Sequence, residues 1–269
     1  METEIGGGKM TIKKLELVHL TKTFTQEKNE RTVLKDISLH VNEGEFVSLI
    51  GPSGSGKSTL FHIIGGLIPP SSGEVKLEGK TVTGQKGLIS YMPQQASLLP
   101  WRTIEQNVIM ALEVSGKPAS ASLEKARAWL KRAGLSGYEN SYPHVLSGGM
   151  QQRVSFLRAL LSEQELMCLD EPFGALDALT RQDMQEWLLH LWEENKRSVL
   201  FVTHSIEEAL YLSDRIYLLS KKPTIVLEEI RVPFDRPRRE EVQLDSLFLQ
   251  LKQDIYRQMK SQQAIGAGG

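Results

Sequence analysis

The sequence predicts an α/β fold: a parallel, doubly wound sheet to which an antiparallel β layer and a helical insertion are added. Three observations carry this prediction. Short apolar runs at 46–50, 166–169 and 199–202 alternate with helix-length segments, as strands buried between crossover helices do. Residues 36–41 alternate strictly, with Ile37, Leu39 and Val41 on one face and Asp36, Ser38 and His40 on the other. That is the pattern of a half-exposed antiparallel strand. From about residue 103 to 134 the apolar spacing is helical, with no strand in between.

Taken in order, residues 15–20 alternate well enough for a first strand, 36–41 make the second and 46–50 the buried third. Glycines then break regularity over 51–56, and 57–66 can run as a helix. Ser72-Gly73 marks a turn before an alternating strand at 74–78. Thr103 is a good N-cap with Gln106 three residues on, and Ile104, Val108 and Leu112 keep helical spacing. A second helix spans 122–133 and stops at Gly134. Residues 147–162 form a helix that opens on glycines. The strand 166–169 ends in Asp170-Glu171. An amphipathic helix at 179–195, a strand at 199–202, a helix at 205–212 and strands at 215–219 and 224–232 complete the sheet. After Pro233 the chain turns charged, with Arg236, Arg238 and Arg239, before a helix from about 240. The implied division is a flexible lead-in (1–14, with Gly6-Gly7-Gly8), a main domain (15–232, helical subdomain about 95–162) and a short C-terminal extension (233–269).

Composition narrows the class. The chain has 269 residues, enough for one large domain with a small appendage, and its net charge is −1. No overall basic excess points to nucleic acid as a partner. The single cysteine, Cys168, allows no internal disulfide and sits in an apolar run, which predicts a buried, unreactive thiol. No stretch reaches the roughly 18–20 apolar residues of a membrane helix, and the polar N-terminus lacks the apolar core of a signal peptide. If the protein serves a membrane process, another chain must span the bilayer.

Two motifs carry chemistry. Gly51-Pro52-Ser53-Gly54-Ser55-Gly56-Lys57-Ser58 fits G-x-x-x-x-G-K-[ST] between a buried strand and a helix, the context that a phosphate-binding P-loop needs. Glycines let backbone N–H groups point at phosphate oxygens, and the helix N-terminus adds positive potential. Lys57 can reach the β- and γ-phosphates, the Ser58 hydroxyl can ligate Mg²⁺, and Thr59 can touch the α-phosphate. Asp170-Glu171, at the end of an apolar strand, falls at the sheet edge where ligands bind in such folds. Asp170 suits Mg²⁺ and Glu171 suits activation of the attacking water. These motifs alone establish only an NTP site of the P-loop NTPase, RecA-like class.

Leu146-Ser147-Gly148-Gly149-Met150-Gln151-Gln152-Arg153 closely resembles the LSGGQ signature of ABC ATPases. The resemblance covers about residues 15–232 and implies ATP as substrate, Mg²⁺ as cofactor and a homodimer. In it Ser147, Gly148 and Gly149 face the γ-phosphate held by a second subunit's P-loop. Gln94, in Tyr91-Met92-Pro93-Gln94, resembles the Q-loop glutamine, which reads Mg²⁺ and the γ-phosphate. Asp177, in Leu176-Asp177, resembles the D-loop that contacts the opposite subunit. His204 resembles the switch histidine on the γ-phosphate, and Phe24 the aromatic that stacks on adenine. Leu98-Leu99-Pro100-Trp101 and Tyr142-Pro143-His144 are similar to segments of the nitrate/sulfonate/taurine importer ATPases. That similarity implies integral-membrane permease subunits, indirectly a solute-binding protein, and a place on the cytoplasmic face of the cell membrane. An export or cell-division complex would share every nucleotide motif and stands as the alternative.

Overall fold

The computed structural model describes residues 12–26, 29–174 and 176–265; Gly6-Gly7-Gly8 of the expected lead-in lies outside the described residues. The chain opens with β1 (Lys13–Gln26) and β2 (Asn29–Asn42), a long antiparallel hairpin. Both strands run well past the expected 15–20 and 36–41. Their outer ends pair through polar residues such as Thr23 with Thr32, because the ladder is made by the backbone and needs no apolar side chain. Next come β3 (Phe46–Ile50), α1 (Lys57–Ile64), β4 (Ser72–Leu77), β5 (Lys80–Thr81) and β6 (Ser90–Met92). The expected turn at Ser72-Gly73 is instead the start of β4. Gly73 has φ +89° there, and a Cβ would fall 2.5 Å from the His19 carbonyl oxygen, so only glycine lets β1 pass this closely.

The helical layer holds α2 (Ile104–Val108), α3 (Met110–Val114), α4 (Ala119–Arg132) and α5 (Gly148–Leu161). Thr103 and Gln106 do form a reciprocal capping box at the start of α2. The run breaks at Ile109, where φ is −82° and ψ −2°, so one expected helix becomes two. α4 starts at Ala119 after Pro118, not at Ser122, whose hydroxyl donates to the Pro118 carbonyl at 2.9 Å and so sits inside the first turn. The chain continues with β7 (Leu166–Asp170), α6 (Ala178–Asn195), β8 (Ser198–Thr203), α7 (Ile206–Leu212), β9 (Arg215–Leu219), β10 (Val226–Arg231) and α8 (Ser246–Ile265). A 3₁₀ turn at Glu240–Leu244 precedes α8, which therefore begins later than expected.

Two sheets result. A six-stranded sheet runs β10-β9-β3-β8-β7-β6, parallel throughout except for the antiparallel edge strand β10. A four-stranded antiparallel sheet runs β2-β1-β4-β5. One face of the large sheet packs on the helical layer and α6 through Phe46, Phe201, Leu157, Leu188 and Trp192. The other packs on the antiparallel sheet and α1 through Val47, Leu49, Leu15, Ile37 and Phe61. Cys168 is buried in this second cluster, and burial raises its thiol pKa.

The charged C-terminal segment is anchored. Phe248 and Ile255 of α8 pack on Leu210, Ile216 and Leu218, each burial contributing roughly 1.5–3 kcal/mol. The buried Arg238 guanidinium donates to the carbonyls of Leu210, Tyr211 and Ser213, the last of these at 2.5 Å. It thus satisfies the orphan carbonyls at the end of α7. Burial lowers its pKa to about 10. Among the described residues no helix is long and apolar enough to cross a membrane.

Candidate functional site

The glycine loop lies between the fully buried β3 and the start of α1. Gly56 has φ +98°, and a Cβ there would stand 2.7 Å from Val33 Cγ1, so the loop closes only with glycine at this position. A Cβ on Gly51 would meet Leu219 Cβ at 3.0 Å. Gly56 caps α1 with no side-chain hydrogen bond, so the first-turn N–H groups have no side-chain partner at that cap. Lys57 is buried, and its ammonium donates to the carbonyls of Gly51 at 2.9 Å and Pro52 at 3.0 Å. Burial lowers its pKa, while the charges of Glu171 and Asp170 oppose that shift. Residues 53–59 line an open cleft of about 350 Å³ together with Gln94, Glu171 and Lys222.

Asp170 and Glu171 end β7 next to this loop. Asp170 is buried, hydrogen-bonded with Ser58, and accepts from the Tyr91 hydroxyl at 3.3 Å. Burial still pushes its carboxyl pKa up. Glu171 holds φ +44°, a left-handed conformation uncommon for a residue with a side chain. Its N–H donates to the Val202 carbonyl at 2.9 Å, which locks it to the next strand. One carboxylate oxygen, Oε2, accepts from Gln94 Nε2 at 3.1 Å and stands 3.4 Å from His204 Nδ1. Gln94, Glu171 and His204, far apart in sequence, therefore meet at one carboxylate, and Gln94 and Glu171 line the glycine-loop cleft.

The other expected residues lie elsewhere. Ser147 caps α5, its hydroxyl accepting from Met150 N–H at 3.4 Å. A Cβ on Gly148 would meet open space, whereas one on Gly149 would fall 2.6 Å from Thr180 Cγ2. Asp177 caps α6 by accepting from Thr180 N–H at 3.1 Å, and Thr180 keeps its carboxyl below the usual range. The signature turn and the start of α6 are thus packed on each other, and neither lines the glycine-loop cleft. Phe24 lies on β1, 41% exposed, with Lys22 Nζ 4.9 Å from its ring centroid, so it is not a core residue. Trp101 is 72% exposed, while Leu98 and Leu99 are half-buried.

Several contributing residues escape sequence reasoning. Gln152 donates to the Gln94 carbonyl at 3.0 Å, tying α5 to the Gln94 segment; it stands in the signature stretch, but nothing local assigns it this partner. The buried Glu208 accepts from Thr203 and, at 3.2 Å, from Gln185. Thr203 Oγ1 also accepts from Ser205 N–H at 3.0 Å, so both neighbours of His204 are held. Lys222, from the loop after β9, carries no sequence signal at all.

A family model described as ABC transporter matches residues 34–174. The formylaminopyrimidine import ATP-binding protein ThiZ of Halalkalibacterium halodurans is 44% identical over 83% of this chain and 88% of its own length. The aliphatic sulfonates import ATP-binding protein SsuB of Bacillus cereus is 41% identical over 82% of this chain and 88% of its own. Among solved structures, the dimeric, post-hydrolysis ATP-binding cassette MJ0796, bound to ADP and phosphate, superposes with a TM-score of 0.71. It is 34% identical and covers 82% of this chain and 100% of its own. With the glycine loop, the acid pair and the signature turn in place, the chain belongs to the ABC transporter family.

Proposed function

We propose that the chain is the ATP-binding and ATP-hydrolysing subunit of an ABC importer. The observation that carries this reading is the Glu171 carboxylate oxygen, placed between Gln94 and His204 on a residue that lines the glycine-loop cleft. A carboxylate so oriented can polarise the attacking water, and the loop N–H groups with Lys57 can hold the phosphates. Phosphoryl transfer needs little beyond such positioning and charge stabilisation. In this reading Gln94 and His204 sense the γ-phosphate, residues 51–59 bind the triphosphate, and Phe24 stacks on adenine. Ser58 and Asp170 offer hard oxygen donors side by side, a set that fits Mg²⁺ with Gln94 nearby. The ion would neutralise phosphate charge. Among the described residues no cluster of three or more His, Cys, Asp or Glu could hold a metal by itself, so the phosphates would supply ligands too.

The reading extends to assembly. Ser147, Gly148 and Gly149 are outside the cleft of their own chain and suit the γ-phosphate of a second copy, and Asp177 suits contact with that opposite subunit. The exposed Trp101, with Tyr142 and Val145, suits contact with a permease. Ile104 N–H donates to the Ser141 carbonyl at 2.9 Å, which brings those segments together. The ATPase domain is residues 15–232 and its helical subdomain about 95–162. The permease would hold the dimer at the cytoplasmic face of the cell membrane, and a solute-binding protein would deliver the solute. The relatives' names point to a small organic or anionic solute such as a sulfonate or a pyrimidine. Co-purification with a permease, and identification of the solute-binding protein and its ligand, tests this. Recovery with an export permease and no solute-binding protein would sink the importer assignment.

A further inference from the structure

We propose that Lys222 is a second cation for the nucleotide's polyphosphate, supplied by the loop between β9 and β10. The inference deepens the ATP-binding reading and rests on it. Lys222 lines the cleft with residues 53–59, and Lys57 is the lining's other cation. Lys57 already donates to two loop carbonyls. The Lys222 ammonium has no hydrogen-bond or ion-pair partner among the described residues, and its side chain is exposed.

The loop that carries it is fixed to the glycine loop. Thr224, fully buried, donates its hydroxyl to the Ser55 carbonyl and its N–H to the Val33 carbonyl at 2.9 Å. Lys35 N–H returns a bond to the Thr224 carbonyl at 2.8 Å. At the loop's start, Ile225 N–H donates to Ser220 Oγ at 2.9 Å, and Leu219 lies against Gly51. The backbone on both sides of Lys222 is therefore set by contacts to the phosphate-binding segment itself. A lysine presented this way is a mobile point charge on a placed stem. Opposite several phosphate charges, it strengthens binding without touching the reacting atoms. Because it is exposed, its effect is moderate and screened by salt.

The test measures ATP turnover and the affinity of a non-hydrolysable ATP analogue for Lys222→Ala, Lys222→Glu and Lys222→Arg in the full chain. We expect KM and Kd to rise about threefold for the alanine variant and about tenfold for the glutamate variant at low salt. Lys222→Arg should stay within about twofold of the parent, and kcat at saturating ATP should hold within about twofold in all three. The differences should shrink severalfold between about 0.02 and 0.5 M salt. Competition by adenosine, which has no phosphate, should be unchanged. Parental affinity in Lys222→Glu, or a loss that salt leaves untouched, overturns the proposal. Lys57→Ala separates the two ideas: if it binds ATP normally, the glycine-loop reading itself fails, and if it alone loses ATP, only the role of Lys222 falls.

Discussion

The glycine loop before α1 and the signature turn before α5 use the same device, a helix N-terminus opened by glycines, yet they are built differently. The cap of α1 is a left-handed glycine with no side-chain hydrogen bond, wedged against Val33, so donors of its first turn remain for a ligand. The cap of α5 is Ser147, whose hydroxyl already takes the Met150 N–H, and the Cβ direction of Gly148 is open. The first turn has a buried lysine, two acids nearby and a cleft. The second does not line that cleft. The difference teaches that the two turns are not equivalent, which suits the proposed reading in which the first receives phosphates on its own chain and the second meets the γ-phosphate of a second copy.

The sharpest way to break that contrast is Glu171→Gln. Turnover should fall by about 100-fold or more, with ATP still bound and pairs of chains accumulating in light scattering. Near-normal turnover would remove Glu171 from the chemistry, and ATP-bound monomers would argue against a shared site. Next in size, Lys57→Ala should raise the Kd for ATP by roughly 10- to 100-fold, the loss of a charged hydrogen bond; titration with a fluorescent ATP analogue reads this directly. A pair of alanine scans then divides the signature turn. Gly148→Ala meets no neighbour, so it should leave melting unchanged while turnover drops about tenfold as the approaching phosphate is crowded. Gly149→Ala crowds Thr180 and should cost roughly 1–3 kcal/mol. Equal effects of the two on stability and turnover would erase the distinction between an open and a packed glycine.

The smallest expected effect lies where the C-terminal segment meets α6, the helix packed against that turn. The Glu240 carboxyl, hydrogen-bonded to Glu186, raises the Glu186 pKa to about 7. A carboxyl pKa raised by folding means that the native state holds more protons than the unfolded chain between the ordinary value and about 7. Stability contributed by this contact is thus present at low pH and lost as pH rises through that window. Glu240→Gln should flatten this decline in a melting series across pH; an unchanged slope would show that the pair does not couple.

The candidate site was legible in unequal parts. The glycine loop, the acid pair and the Ser147 cap were readable because each rests on neighbours in sequence: a strand end, a helix start, a side chain three residues from its N–H. The β6 strand was not, since Ser90, Tyr91 and Met92 show no period over three residues and exist as a strand only by pairing with β7. The split at Ile109 and the start of α4 at Ala119 were also hidden, because propensity does not place a boundary to the residue. Gln152 and Glu208 act through partners 58 and 23 residues away, and Lys222 joins the cleft lining from a loop far along the chain; no local pattern announces such company.

What the sequence determined by itself was the class of fold and the local form of the two glycine-opened turns, since periodicity and capping are short-range physics. What only the tertiary structure decided was company. It brought Gln94, Glu171 and His204 around one carboxylate oxygen and left the signature turn outside the cleft. The reason is that strand order in a parallel sheet is set by crossover packing of distant apolar faces, and that packing, not any local signal, fixes which loops share an edge.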